Sequence, residues 1–115
     1  MHELGIVFYI IRDVKKVAEE NGLNHVDAVV MNIGEVSTIV PEYLGDCWRW
    51  AADREDVLRG CELRVDTVPA VTWCDSCHRE YGTVEHGRTC PYCGSGETWL
   101  LRGNEVEIKE IVVPD

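Results

Sequence analysis

No stretch of this 115-residue chain approaches the roughly 18–20 uninterrupted apolar residues that a membrane-spanning helix needs. The opening Met1-His2-Glu3-Leu4 has no basic n-region, and Arg12-Asp13 interrupts the apolar run behind it, which argues against a signal peptide. The expected location is therefore the cytoplasm, with no membrane partner. Positive charge is also short. Eleven Lys and Arg face 21 Asp and Glu, a formal net charge of −10, and a surface of that sign repels phosphate backbones. Nucleic acid is excluded as an expected partner, and the acidity reads mainly as solubility. No low-complexity segment occurs, and no repeat beyond a duplicated cysteine pair. No constellation of nucleophile, base and oxyanion donor is visible, so catalysis is not expected.

What is present suits a folded protein. An apolar fraction of 45% argues against disorder, and the length allows one ordinary domain or a small domain with a metal-stapled appendix. Four of the six cysteines form two Cys-x-x-Cys pairs, Cys74/Cys77 and Cys90/Cys93, separated by twelve residues. In a reducing compartment that pattern points to metal rather than disulfides. Two residues between thiolates let a tight turn aim both sulfurs at one ion, and two such turns complete a tetrahedron. In the second knuckle, Cys90-Pro91-Tyr92-Cys93-Gly94, proline presets the turn and glycine admits the geometry in which N–H groups point at sulfur. The first, Cys74-Asp75-Ser76-Cys77-His78, lacks that glycine, so its turn is expected to be slightly strained. Four thiolates close the site to substrate, which favours structural zinc. A single iron in the same ligands would make a rubredoxin-like redox protein, and a zinc-ribbon interaction module with no second metal is the third reading. Cys47, in a helical pattern, and Cys61, opening a strand pattern, read as small buried hydrophobes.

Leu4, Val7, Phe8, Ile11, Val14 and Ala18 recur at helical steps, and Asn21-Gly22 supplies the stop. Val26 to Ile33 reads as a strand buried on both faces. Pro41 opens a second helix with Leu44, Cys47, Trp48 and Ala51 as its apolar stripe, fading near Arg54 to Val57. Leu63, Val65 and Thr67 alternate with charged residues as a half-buried strand. A last strand runs from Val106 to Val113, with a bulge expected near Glu110. The resulting fold is α+β, two helices on a three-stranded sheet, with an inserted zinc-ribbon-like module. Residues 1–69 and 103–115 form the main domain, and residues 70–102 the module. Trp48, Trp73 and Trp99 read as packing residues, and Trp50, off the helix stripe, as a partner-facing candidate.

A second chemistry gathers at Met1-His2-Glu3. The Met1 amine, the His2 amide nitrogen and the His2 imidazole can form fused chelate rings of the planar kind that suits nickel(II) or copper(II). The Glu3 amide or carboxylate could be a fourth donor. Taken alone, a histidine near a terminus is ordinarily just solvated.

The chain resembles the HypA/HybF family of nickel-insertion accessory proteins in NiFe-hydrogenase maturation. The resemblance rests on Met1-His2-Glu3-Leu4, Ile33-Gly34-Glu35, the knuckles closing with Cys90-Pro91-x-Cys93-Gly94, and Gly103-Asn104-Glu105. It implies nickel(II) at the N-terminal domain with His2 as the essential side-chain ligand, and structural zinc on Cys74, Cys77, Cys90 and Cys93. It also implies a nickel-handling GTPase and the hydrogenase large subunit as partners, and in some relatives service to urease. Val40 stands where some relatives carry a carboxylate; Glu35 and Glu42 are candidate substitutes that ordinarily would be solvated. His25 reads as a surface residue. His78 and His86, in the module, read as exposed or as neighbours of the thiolates, with nickel ligation a lesser alternative.

Overall fold

The structure is a computed structural model that describes residues 3–115. Its elements are α1 (Glu3–Glu20), β1 (Ala28–Gly34), α2 (Pro41–Ala52), a 3-10 turn (Asp56–Leu58), β2 (Glu62–Val68), β3 (Val71–Cys74), β4 (Arg79–Gly82), α3 (Thr83–His86), β5 (Thr98–Arg102) and β6 (Val106–Val112). They form two three-stranded sheets, of order β2-β1-β6 and β4-β3-β5. The expected α+β architecture is therefore the observed one. The chain divides into two compact units. The first takes in the chain up to Asn32 with Ile39–Asp66 and Glu107–Asp115; the second takes in Ile33–Thr38 and Thr67–Val106.

In the first unit α1 buries Val7, Ile10, Ile11, Val14 and Ala18. Phe8, expected in that stripe, is 51% exposed, and Ile10 takes its place. Both choices satisfy a period of 3.6, and the packing partner decides between them. At the helix end, Leu23 N–H donates to Ala18 C=O and Gly22 N–H to Glu19 C=O, a Schellman cap that Gly22 permits with φ of 64°. The α2 helix starts at Pro41, where a missing N–H costs nothing, and buries Leu44, Trp48, Ala51 and Ala52. Trp48 is fully buried, and its indole N–H donates to Cys61 C=O at 2.9 Å, so the largest core side chain leaves no orphan donor. The α2 N-cap, Val40, has no capping side chain of its own. Its N–H donates instead to the Glu3 carboxylate at 3.1 Å, which ties the first turn of α1 to the start of α2. Cys47 is only half-buried rather than a core residue; Cys61 is buried as expected.

The second unit is held by a backbone knot. Gly34 N–H donates to Glu105 C=O at 2.7 Å, Val36 N–H to Gly103 C=O at 2.8 Å, and Glu35 N–H to Val68 C=O at 2.8 Å. Two carboxylates close it: Glu35 accepts the Ala70 N–H at 2.9 Å and Glu105 the Gly103 N–H at 2.7 Å. A Cβ on Gly34 would land on the Gly103 carbonyl, and one on Gly103 on the Ala70 backbone. Glycine at both positions is thus a packing requirement. In the β4-β3-β5 sheet both pairings of β3 are antiparallel, with Trp73 opposite Glu80 on one side and Trp99 on the other. Trp99 is half-exposed rather than core.

Candidate metal centre

The first knuckle is the turn from β3 into β4, since Cys74 closes one strand and Arg79 opens the next. The second, Cys90–Gly94, lies between α3 and β5; two contacts join its segment to the first knuckle, and a third, from Cys90, folds that segment back on itself. Asp75 N–H donates to Glu97 C=O at 2.9 Å, Cys90 N–H to Ser95 C=O at 3.0 Å, and the Ser76 and Ser95 hydroxyls lie 2.8 Å apart. Beneath them Cys74, Tyr81 and Cys90 form a small buried cluster with Cys77 packed against it. The Tyr81 hydroxyl donates to Gly87 C=O at 2.9 Å. Tyr81 is the core residue of this sheet that a reading of the cysteines alone passes over; its sequence signal is a single aromatic in a short polar strand.

Each knuckle closes with the same backbone bond: His78 N–H to Cys74 C=O and Gly94 N–H to Cys90 C=O, both at 2.9 Å. Each closing residue is left-handed, with φ of 58° at His78 and 75° at Gly94. The expectation of strain in the glycine-free knuckle has its physical basis here, because a side chain in that region crowds the following carbonyl. The His78 imidazole stacks on Trp73, with ring centroids 5.9 Å apart and 8° between planes.

The four Sγ atoms lie within 4.8 Å of one another, and the Cys74–Cys93 and Cys77–Cys90 separations are 3.6 Å. All four thiols are free of disulfides. A zinc tetrathiolate, with Zn–S of about 2.3 Å, sets sulfurs about 3.8 Å apart, so the donor set fits such an ion. The electrostatics agree. Burial and the Cys90, Cys74 and Cys93 thiols push Cys77 up to about 12. Burial also acts on Cys90, but the N–H groups of Cys93 and Tyr92 and the Cys77 thiol outweigh it and hold Cys90 at about 7. Four thiols so crowded cannot all ionise by themselves; a central cation removes that repulsion.

The other predicted site residues are dispersed. His2 and the Met1 amine lie outside the described residues. His78 and His86 are exposed, His86 lying edge-on to Tyr81, and among the described residues only the four cysteines cluster as ligands. Glu42 is exposed, and the Glu35 carboxylate is engaged by the Ala70 N–H. His25 is half-buried, 3.3 Å from the Asp27 carboxylate. Burial and the carboxylates of Asp27 and Glu62 raise Cys61 to about 11, which leaves it an inert thiol.

Fold and cluster together define a small two-unit α+β protein whose second unit carries a four-cysteine metal site of zinc-ribbon type. A family model described as "Hydrogenase/urease nickel incorporation, metallochaperone, hypA" matches residues 1–113, and the chain belongs to that family. Its members are metallochaperones or maturation factors and not catalytic enzymes. Similar proteins include the hydrogenase maturation factor HypA of Chlorobium phaeobacteroides, 34% identical over 113 residues that cover 98% of this chain and 99% of the relative. Hydrogenase maturation factor HybF of Klebsiella pneumoniae is 31% identical over 111 residues, covering 96% and 97% respectively. The solution structure of the Ni metallochaperone HypA from Helicobacter pylori shares the fold, with a TM-score of 0.73 at 20% identity over 98% of this chain and 97% of that one. Among the described residues no helix is long and apolar enough to cross a membrane.

Proposed function

We propose that this chain binds nickel(II) through His2 and the Met1 amine and passes it on during NiFe-hydrogenase maturation, while Cys74, Cys77, Cys90 and Cys93 hold structural zinc. The observation that carries the reading is membership of a nickel-incorporation family by a match that begins at residue 1, and so includes Met1-His2-Glu3. The Glu3–Val40 hydrogen bond supports it. With one carboxylate oxygen engaged there, Glu3 anchors the first turn of α1, and its backbone is the better candidate donor. Residues 1–69 and 103–115 then carry the cargo, and residues 70–102 the zinc.

A planar site made of an amine, an amide nitrogen and an imidazole selects nickel(II) or copper(II) over hard cations and leaves the axial directions open. Incoming donors can therefore take the ion by stepwise ligand exchange. A carrier needs that combination of selection and lability. The receiving partners are a nickel-handling GTPase and the hydrogenase large subunit, with urease a further client, and the setting is the cytoplasm.

The test is nickel titration of three proteins, with zinc quantified in each: the native start, a version extended before Met1, and His2→Ala. Extension turns the amine into an amide, and His2→Ala deletes the imidazole; each should abolish tight nickel binding and leave zinc at one per chain. Unchanged nickel binding in both altered proteins would move the site elsewhere. No binding by the native-start protein would sink the carrier reading in favour of a zinc-only module, and bound iron would favour a redox protein.

A further inference from the structure

The two halves of the metal centre are built alike but are not conformationally equal. Both end in a left-handed residue whose N–H returns to the first cysteine carbonyl at 2.9 Å. At Gly94 that conformation is free of steric cost, and the same knuckle adds a Tyr92 N–H to Cys90 Sγ contact at 3.4 Å. At His78 a Cβ is forced into the left-handed region, with φ of 58°. The closed turn is what imposes it, so the strain exists while Cys74 and Cys77 are held together and is relieved when they part. Stacking on Trp73 offsets part of that strain, because the exposed imidazole is held flat against the indole by the closed turn.

We propose that the Cys74–Cys77 knuckle is the releasing arm of the metal centre, and that His78 sets how readily it opens. Cys90 and Cys93 are then the retaining arm. The idea rests on the reading that the four cysteines hold zinc. It assigns His78 a positioning role through its backbone and its stack, not a ligand role.

The test uses the zinc-loaded full chain, with the metal content of each protein measured first. Release to an excess of chromogenic zinc chelator is then followed over time. His78→Gly should slow release about tenfold, the cost of a left-handed side chain. His78→Asn, a residue that tolerates this conformation, should fall between glycine and the wild type. His78→Ala keeps the Cβ but loses the stack, so it should release faster than the wild type. Gly94→Ala should speed release by about the same tenfold, by straining the retaining arm. In wild-type protein stripped of part of its zinc, brief alkylation followed by mass spectrometry should give a doubly labelled species marked on Cys74 and Cys77. That order runs against accessibility, because Cys93 is the most exposed of the four. Release from His78→Gly as fast as from the wild type would overturn the proposal, as would labels falling first on Cys90 and Cys93. Faster release from all three His78 variants alike would mean that the imidazole ligates the metal, which also overturns it. Wild-type protein without zinc would instead refute the zinc reading on which the idea stands, and the initial metal analysis tells that failure apart.

Discussion

Replacing Gly34 by alanine is the sharpest structural test of the knot between the Gly34-Glu35 and Gly103-Asn104-Glu105 segments. The new Cβ would meet the Gly103 carbonyl and lie 2.5 Å from Asn104 N, so the clash is with backbone and no side chain can swing away. Overpacking of a tight interior costs about 1–3 kcal/mol, and backbone neighbours place this case at the upper end. Separation of the strands also weakens the Gly34–Glu105 and Val36–Gly103 hydrogen bonds, each worth about 1 kcal/mol. The expected loss is about 3–5 kcal/mol, a fall in Tm of roughly 12–25 °C for a protein of this size. Two controls calibrate it. Gly22→Ala has nothing within 4 Å but keeps a φ of 64°, so it should lose only about 1 kcal/mol. Gly5→Ala, inside α1 with nothing within 4 Å, should gain about 0.5–1 kcal/mol. Thermal and urea unfolding of the zinc-loaded proteins, followed by circular dichroism and tryptophan fluorescence, gives the order. If Gly34→Ala fell within 1 kcal/mol of Gly22→Ala, the close approach at Gly103 would be refuted as the reason for glycine there.

Cys90→Ser should lose zinc and loosen residues 70–102 to fast amide exchange, while the Val7–Val14–Trp48 core of the first unit stays protected; global unfolding would contradict two separable units. At pH 8 native Cys61, held at about 11, should resist iodoacetamide because only about 0.1% is thiolate, whereas half-buried Cys47 should label readily; equal labelling would show that Cys61 is not shielded. Nickel affinity should climb between about pH 6 and 8, because imidazole and α-amino groups, with ordinary values of roughly 6.5 and 7.7–8.0, must lose protons to bind. A flat affinity across that window, measured by calorimetry, would mean that Met1 and His2 are not the ligands. Protons compete with zinc for the thiols: Cys77 and Cys90, at about 12 and about 7 without metal, are mostly protonated below pH 7, so acid should favour zinc release and alkali retention. Chelator competition across pH checks the sign.

Much of this protein was legible from its residues, for reasons that are local. The Cys74/Cys77 and Cys90/Cys93 spacings place sulfurs through a turn of four or five residues, and the geometry of such a turn depends on little beyond itself. Pro41 and Asn21-Gly22 mark helix ends for the same reason, and alternation marks β2 as a strand with Leu63 and Val65 half-buried, although Thr67, expected on that face, is exposed and Val68 is half-buried instead. Only the tertiary structure decided which turn of the α1 stripe faces the core, because Phe8 and Ile10 fit the same period and the partner surface admits only Ile10. It likewise left Cys47, at the flank of the α2 stripe, only half-buried. The knot that requires Gly34 and Gly103 joins segments nearly seventy residues apart, and no spacing rule reaches so far. The Glu3–Val40 bond spans 37 positions and gives α2 a cap that its own sequence lacks. The missing glycine in the first knuckle was visible in the sequence. That His78 nevertheless takes the left-handed conformation, with its ring stacked on Trp73, was decided only by how the turn between β3 and β4 closes in three dimensions.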